Sequence, residues 1–157
     1  MLNFFKEMFD NEQKDTTSPS APWHENKDIR NAVASLLIEV ARADYVEDAE
    51  ETQEIQTLLK GYFLMDLSEV EHLIQHAGKS VDDAIAIHPF TQTIRTELSS
   101  EHREQVIEMM WAVAFADGVK DANEEFLIRK VADLINVSHA HFIRARRKVE
   151  SLLSKSS

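Results

Sequence analysis

An internal match constrains this chain most. Residues 41–51 (ARADYVEDAEE) lie over residues 114–124 (AFADGVKDANE) at an offset of 73, the distance from Asp44 to Asp117. Seven of these eleven positions are identical, and the match extends outward from Val40 over Val113 and from Ile55 over Ile128. Ser68 then meets Ser138 at an offset of 70. A chain that repeats one helix–bend–helix unit carries two similar apolar stripes, and each copy covers the stripe of the other. The expectation is an all-α helical bundle of about seven to eight helices. Within it, two pseudo-symmetric helix–acidic turn–helix repeats, at about 28–77 and 101–153, pack about a twofold axis. Three glycines and three prolines in 157 residues favour long helices over strands and tight turns.

Apolar spacing places the helices. Leu2, Phe5, Met8 and Phe9 give residues 1–10 the pattern of a short amphipathic helix. Residues 11–26 hold Thr16-Thr17-Ser18-Pro19-Ser20-Ala21-Pro22 and read as a linker, with the domain spanning 27–155. Trp23, just before that domain, is placed to pin the linker onto it. A first long helix, about 28–44, turns Ile29, Val33, Leu36, Leu37 and Val40 inward. A second, about 49–63, uses Ile55, Leu58, Leu59, Tyr62 and Phe63. The pattern Ser68-Glu69-Val70-Glu71 predicts a capping box and a third helix start. In the middle, residues 82–87 read as one piece, and Pro89 as the opening of another. Ser99 or Ser100 caps a helix running to about residue 116. Its stretch from Val106 to Ala116 is apolar nearly all round and belongs at the centre of a bundle. Two more helices follow, from about residue 122 to 135 and after Ser138.

Each bend carries Asp-x-x-x-Asp-x-x-Glu: Asp44, Asp48 and Glu51 in the first copy, Asp117, Asp121 and Glu124 in the second. Capping accounts for four of the six, since Asp48/Glu51 and Asp121/Glu124 have N-cap and N3 spacing, worth ~1 kcal/mol per cap. It leaves Asp44 and Asp117, which close helices where the macrodipole disfavours an anion by ~0.3–1 kcal/mol. Three readings stay open: a purely structural turn, a site for a hard divalent cation (Ca²⁺, Mg²⁺ or Mn²⁺) or a basic partner, and catalysis. Three carboxylates with turn carbonyls form an oxygen-rich set of the kind such cations take. The spacing is not that of an EF-hand. Gly118 favours the second copy, because Tyr45 stands in its place in the first and tolerates positive φ less well.

At this repeat the chain resembles the TerB-like (tellurite-resistance TerB) family. The resemblance is carried by Ala114-Phe115-Ala116-Asp117-Gly118 with Glu124, by Ile128-Arg129-Lys130-Val131-Ala132-Asp133-Leu134-Ile135-Asn136-Val137-Ser138 and by Phe142-Ile143-Arg144-Ala145-Arg146. It covers about residues 28–150. It implies an all-helical fold with internal pseudo-symmetry, an acidic metal-binding site and a link to tellurite resistance or stress responses. Related domains precede the J-domain of membrane-anchored co-chaperones. The His-Pro-Asp motif of that domain has no counterpart here, since His88-Pro89 is followed by Phe90.

The formal charge of −11 argues against a nucleic-acid partner and for cations or basic proteins. With no cysteine, thiolate metal sites and disulfides are excluded. No apolar run reaches the ~20 residues of a membrane span, and the N-terminus lacks a signal-peptide pattern, so a cytoplasmic location is expected. Residues 1–10 have three uses open to them: docking on the parent domain, filling a partner's groove, or lying on a membrane surface, to which Lys6 alone gives weak attraction. His72 and His76 share a helix face, from which the rival reading of a metal-dependent hydrolase draws its histidine. The basic run Arg144, Arg146, Arg147 and Lys148 reads as a solvated helix face, suited to a C-terminal helix. The preferred reading is a non-enzymatic module that binds a divalent cation or a protein partner, with a co-chaperone-like adaptor docking through residues 1–10 as a further alternative. The sequence leaves the oligomeric state open.

Overall fold

The computed structural model describes residues 2–10, 22–42, 49–76, 83–116 and 122–155. Side chains are described at these positions except 2–3, 10, 49–52, 83–86, 116, 122–123 and 155. Among the described residues every element is helical. A short turn α1 (Leu2–Phe5) runs into a π-helical turn (Lys6–Asp10), and α2 (Pro22–Glu25) is equally short. Seven longer helices follow: α3 (Lys27–Arg42), α4 (Ala49–Gly61), α5 (Leu67–His76), α6 (Asp83–Glu97), α7 (Ser100–Ala116), α8 (Ala122–Leu134) and α9 (His139–Lys155). This is the all-α class the sequence predicts.

Two helices form the centre. α7 buries every residue from 106 to 114, as its all-round apolar composition requires. α3 lies against it and is buried at Ile29, at residues 32–38 and at Val40. The apolar stripe expected on α3 did not include Ala34, Ser35 or Ile38, which are covered as well. Burial on more than one side fits a helix that packs against both α6 and α7. Each large side chain buried in this way contributes ~1.5–3 kcal/mol.

The helix starts recur along the chain. α3 and α7 begin at Lys27 and Ser100, α4 and α8 at Ala49 and Ala122, and α5 and α9 at Leu67 and His139. Their caps recur too. Asn26 Oδ1 accepts from the Asp28 and Ile29 amides at 2.9 and 3.2 Å, and Ser99 Oγ accepts from the His102 amide at 3.3 Å. Asp66 Oδ1 accepts from the Glu69 amide at 2.8 Å, while Glu69 Oε1 accepts from the Asp66 amide at 3.5 Å. Ser138 Oγ accepts from the His141 amide at 3.3 Å. The capping box expected at Ser68 and Glu71 is therefore at Asp66 and Glu69. Glu69 also pairs with Arg30 of α3, a long-range contact that selects this register over the other. Two left-handed residues precede these caps, Leu64 (φ 57°) and Asn136 (φ 61°). Past Asn136, the Val137 amide donates to the Ala132 carbonyl at 2.8 Å, the closing bond of a Schellman motif.

Two further expectations change. α6 is one helix through Pro89, not two pieces. Proline removes one i→i−4 bond and tends to break a helix, yet the packing of α6 on α3 carries it across. Trp23 is 0 % exposed and donates its indole N–H to the Tyr62 hydroxyl at 3.2 Å. The packed region thus opens at Pro22, inside the stretch read as linker. In the N-terminal segment, Phe5, Met8 and Phe9 are buried, and α1 lies on α4.

Candidate functional site

The helix ends bracket both acidic turns where the repeat puts them. α3 ends at Arg42 and α4 starts at Ala49; α7 ends at Ala116 and α8 starts at Ala122. Asp48 and Asp121 thus immediately precede a helix in sequence, and Asp117 immediately follows one. Asp44, Asp48, Asp117 and Asp121 lie outside the described residues, as do Tyr45 and Gly118. Glu51 is in the first turn of α4, with its side chain outside the description.

Glu124 is the member of the six whose side chain is described. It lies in the first turn of α8 and is 3 % exposed. The N-terminal end of a helix favours an anion there. Burial works the other way, because a charge taken from water requires compensation by donors or a cation. Exposure alone was not legible from the spacing, since the same Glu at N3 of an ordinary capping box faces solvent.

Glu125, next to Glu124, is tied through Arg146 to a set of aromatic contacts. On the last turns of α7, Trp111 and Phe115 stack with centroids 5.4 Å apart and planes 14° apart. Phe142 of α9 meets Trp111 at 5.4 Å, and the Arg146 guanidinium lies over the indole at 5.2 Å from its centroid. Arg146 also pairs with Glu125 at 3.1 Å and with Glu150 at 2.8 Å, which fastens the first turn of α8 to α9. Glu125 is half-buried in this pairing, and Glu124 beside it is buried. Trp111 with Met109 and Met110 is core, as its composition implied.

The basic run on α9 is largely exposed, as expected, and most of it is paired as well. Arg144 pairs bidentately with Glu104 of α7 at 2.7 and 2.6 Å, and Lys148 lies 3.4 Å from Glu108. The hydrogen bond from Arg144 holds the Glu104 carboxyl below the usual carboxylate range, against the opposing effect of its burial. Arg103 donates to the Ile135 carbonyl at 3.0 Å and so closes the end of α8. Each of these bases is visible in the sequence; their partners follow from the helix packing.

His72 and His76 are exposed on α5 with ring centroids 4.2 Å apart, and His76 Nδ1 lies 2.8 Å from the His72 carbonyl. Among the described residues, no three of His, Asp or Glu converge as a metal site. The histidine–carboxylate cleft of the hydrolase reading is therefore not assembled by them. A separate cleft of about 410 Å³ opens between the start of α3 and the end of α6, with Asp28, Asn31, Thr93 and Glu97 in its lining. None of the predicted site residues lines it. No helix among the described residues is long and apolar enough to cross a membrane.

The described residues are all helical, and their helices start at recurring positions on either side of two acidic stretches of sequence. A family model described as tellurite resistance protein TerB matches residues 30–147, and the chain belongs to that family. Neither a curated protein nor a solved structure matches it.

Proposed function

We propose that this TerB-family chain is a non-enzymatic cytoplasmic module that binds a divalent cation at its second acidic turn and acts through a protein partner. The observation that carries the reading is the burial of Glu124 in the first turn of α8, directly after the sequence that supplies Asp117 and Asp121. Glu124 follows Asp117 and Asp121 closely in sequence, and three carboxylates are oxygen ligands of the kind that Ca²⁺, Mg²⁺ or Mn²⁺ take. Asp117, Asp121 and Glu124 would hold the ion, and Asp44, Asp48 and Glu51 form the weaker copy. A bound ion supplies charge compensation and ties the end of α7 to the start of α8. The link to tellurite resistance and stress responses comes from the family.

Calorimetric titration with Ca²⁺, Mg²⁺, Mn²⁺ and Zn²⁺ tests this. At least one of the three hard cations should give saturable heat that Asp117→Asn and Glu124→Gln each remove. Silence in all four titrations, with Asp117→Asn leaving stability unchanged, leaves the bends as helix caps only.

A further inference from the structure

Two histidines stand side by side on the last turns of α5. His72 and His76 have the i, i+4 spacing that puts both on one helix face. Their ring centroids are 4.2 Å apart, with the planes inclined at 39°. Both residues are exposed, so the pair is open to solutes and takes no part in the core. Among the described residues no third His, Asp or Glu joins them. The cation reading uses neither residue.

A hydrogen bond sets the chemistry of His76. Its Nδ1 lies 2.8 Å from the His72 carbonyl oxygen. A carbonyl oxygen only accepts, so Nδ1 is the donor and carries the proton. The neutral ring then keeps its lone pair on Nε2, the ring nitrogen farther from the backbone. Histidines that ligate metals are commonly held in this way. One ring nitrogen donates to a backbone carbonyl, which fixes the tautomer and leaves the other nitrogen for the ion. Place and ligand type then narrow the ion. His76 is the last residue of α5, where unpaired carbonyls and the macrodipole favour positive charge. Imidazole nitrogen suits Cu²⁺, Ni²⁺ and Zn²⁺, whereas Ca²⁺ and Mg²⁺ take oxygen. Ligand nitrogens sit ~2.0–2.1 Å from such an ion, and rings this close reach a shared one by side-chain rotation alone.

We propose that His72 and His76 together chelate one divalent transition-metal ion, with water completing its shell. Cu²⁺ is held more tightly than Ni²⁺ or Zn²⁺, as nitrogen sites generally hold it. An ion bridging i and i+4 also clamps the last turn of α5, because helix ends open more readily than their middles. The site differs from the acidic bends in residues and in ligand type. It stands independently of the cation reading, and its Zn²⁺ heat survives Asp117→Asn and Glu124→Gln.

The test uses the full chain without an affinity tag. It is titrated with Cu²⁺, Ni²⁺ and Zn²⁺ by calorimetry, and its equimolar Cu²⁺ complex is recorded by pulsed electron paramagnetic resonance. His72→Gln and His76→Gln alter exposed side chains, and circular dichroism checks that the helices are retained. Each should weaken Ni²⁺ binding at least ~10-fold, because the second imidazole acts at a high effective concentration once the first is bound. His139→Gln should leave Ni²⁺ binding unchanged. The Cu²⁺ spectrum should show two coordinated imidazoles in the unaltered chain and one in either single variant. Zn²⁺ at ~10-fold excess over its dissociation constant should slow hydrogen exchange at the amides of residues 73–76 by ~10-fold. Ni²⁺ affinity that neither histidine substitution lowers, a Cu²⁺ spectrum with fewer than two imidazoles, or amides indifferent to Zn²⁺ overturns the proposal. Binding lost in Glu124→Gln instead assigns the ion to the second bend and overturns it as well.

Discussion

At the scale of single residues, Tyr62 connects most of what the sequence left separate. Its hydroxyl accepts from Trp23, and its ring touches Phe5, Phe9, His24 and Phe63. Tyr62→Phe keeps the ring contacts and removes the acceptor, leaving the Trp23 N–H buried. The expected loss is ~1–3 kcal/mol in urea unfolding, larger than an exposed tyrosine hydroxyl would give. Trp23 was expected to pin the preceding segment onto the domain, but composition cannot show that its partner is a hydroxyl just past the end of α4. Glu124 teaches the same lesson from the other side. Its spacing marked it as a candidate, but burial to 3 % is a product of how the helices pack, which no local pattern encodes.

At the scale of elements, helix type and order were legible because periodicity and caps are local. Asn26, Ser99 and Ser138 cap where a short polar side chain precedes an apolar run. The third cap was misplaced because Asp66/Glu69 and Ser68/Glu71 have the same spacing, and the choice between them involves Arg30 on another helix. The same limit hid the latch between α7 and α9. There the folded state holds the Glu104 carboxyl below its unfolded value. Its contribution is therefore complete above the ordinary carboxylate range and is lost as pH falls through the depressed folded value. Glu104→Gln should lower stability at neutral pH, and the gap to the unaltered chain should close on acidification. Urea midpoints measured at neutral and acidic pH check this; a gap that stays constant or widens in acid contradicts it.

At the scale of the whole molecule, the recurrence of helix starts at 27, 49, 67 and 100, 122, 139 puts the two central helices, α3 and α7, each ahead of an acidic stretch of sequence. An ion held by Asp117, Asp121 and Glu124 would join the end of α7 to the start of α8 and stabilise the folded chain alone. Thermal unfolding with and without excess Ca²⁺, Mg²⁺ or Mn²⁺ measures this linkage directly. At ~100-fold excess over the dissociation constant, a ligand specific for the folded state adds ~2.7 kcal/mol. The prediction is a higher midpoint for the unaltered chain with one of these ions and no rise for Glu124→Gln. A midpoint that none of the three ions moves, or one that rises equally in Glu124→Gln, contradicts it.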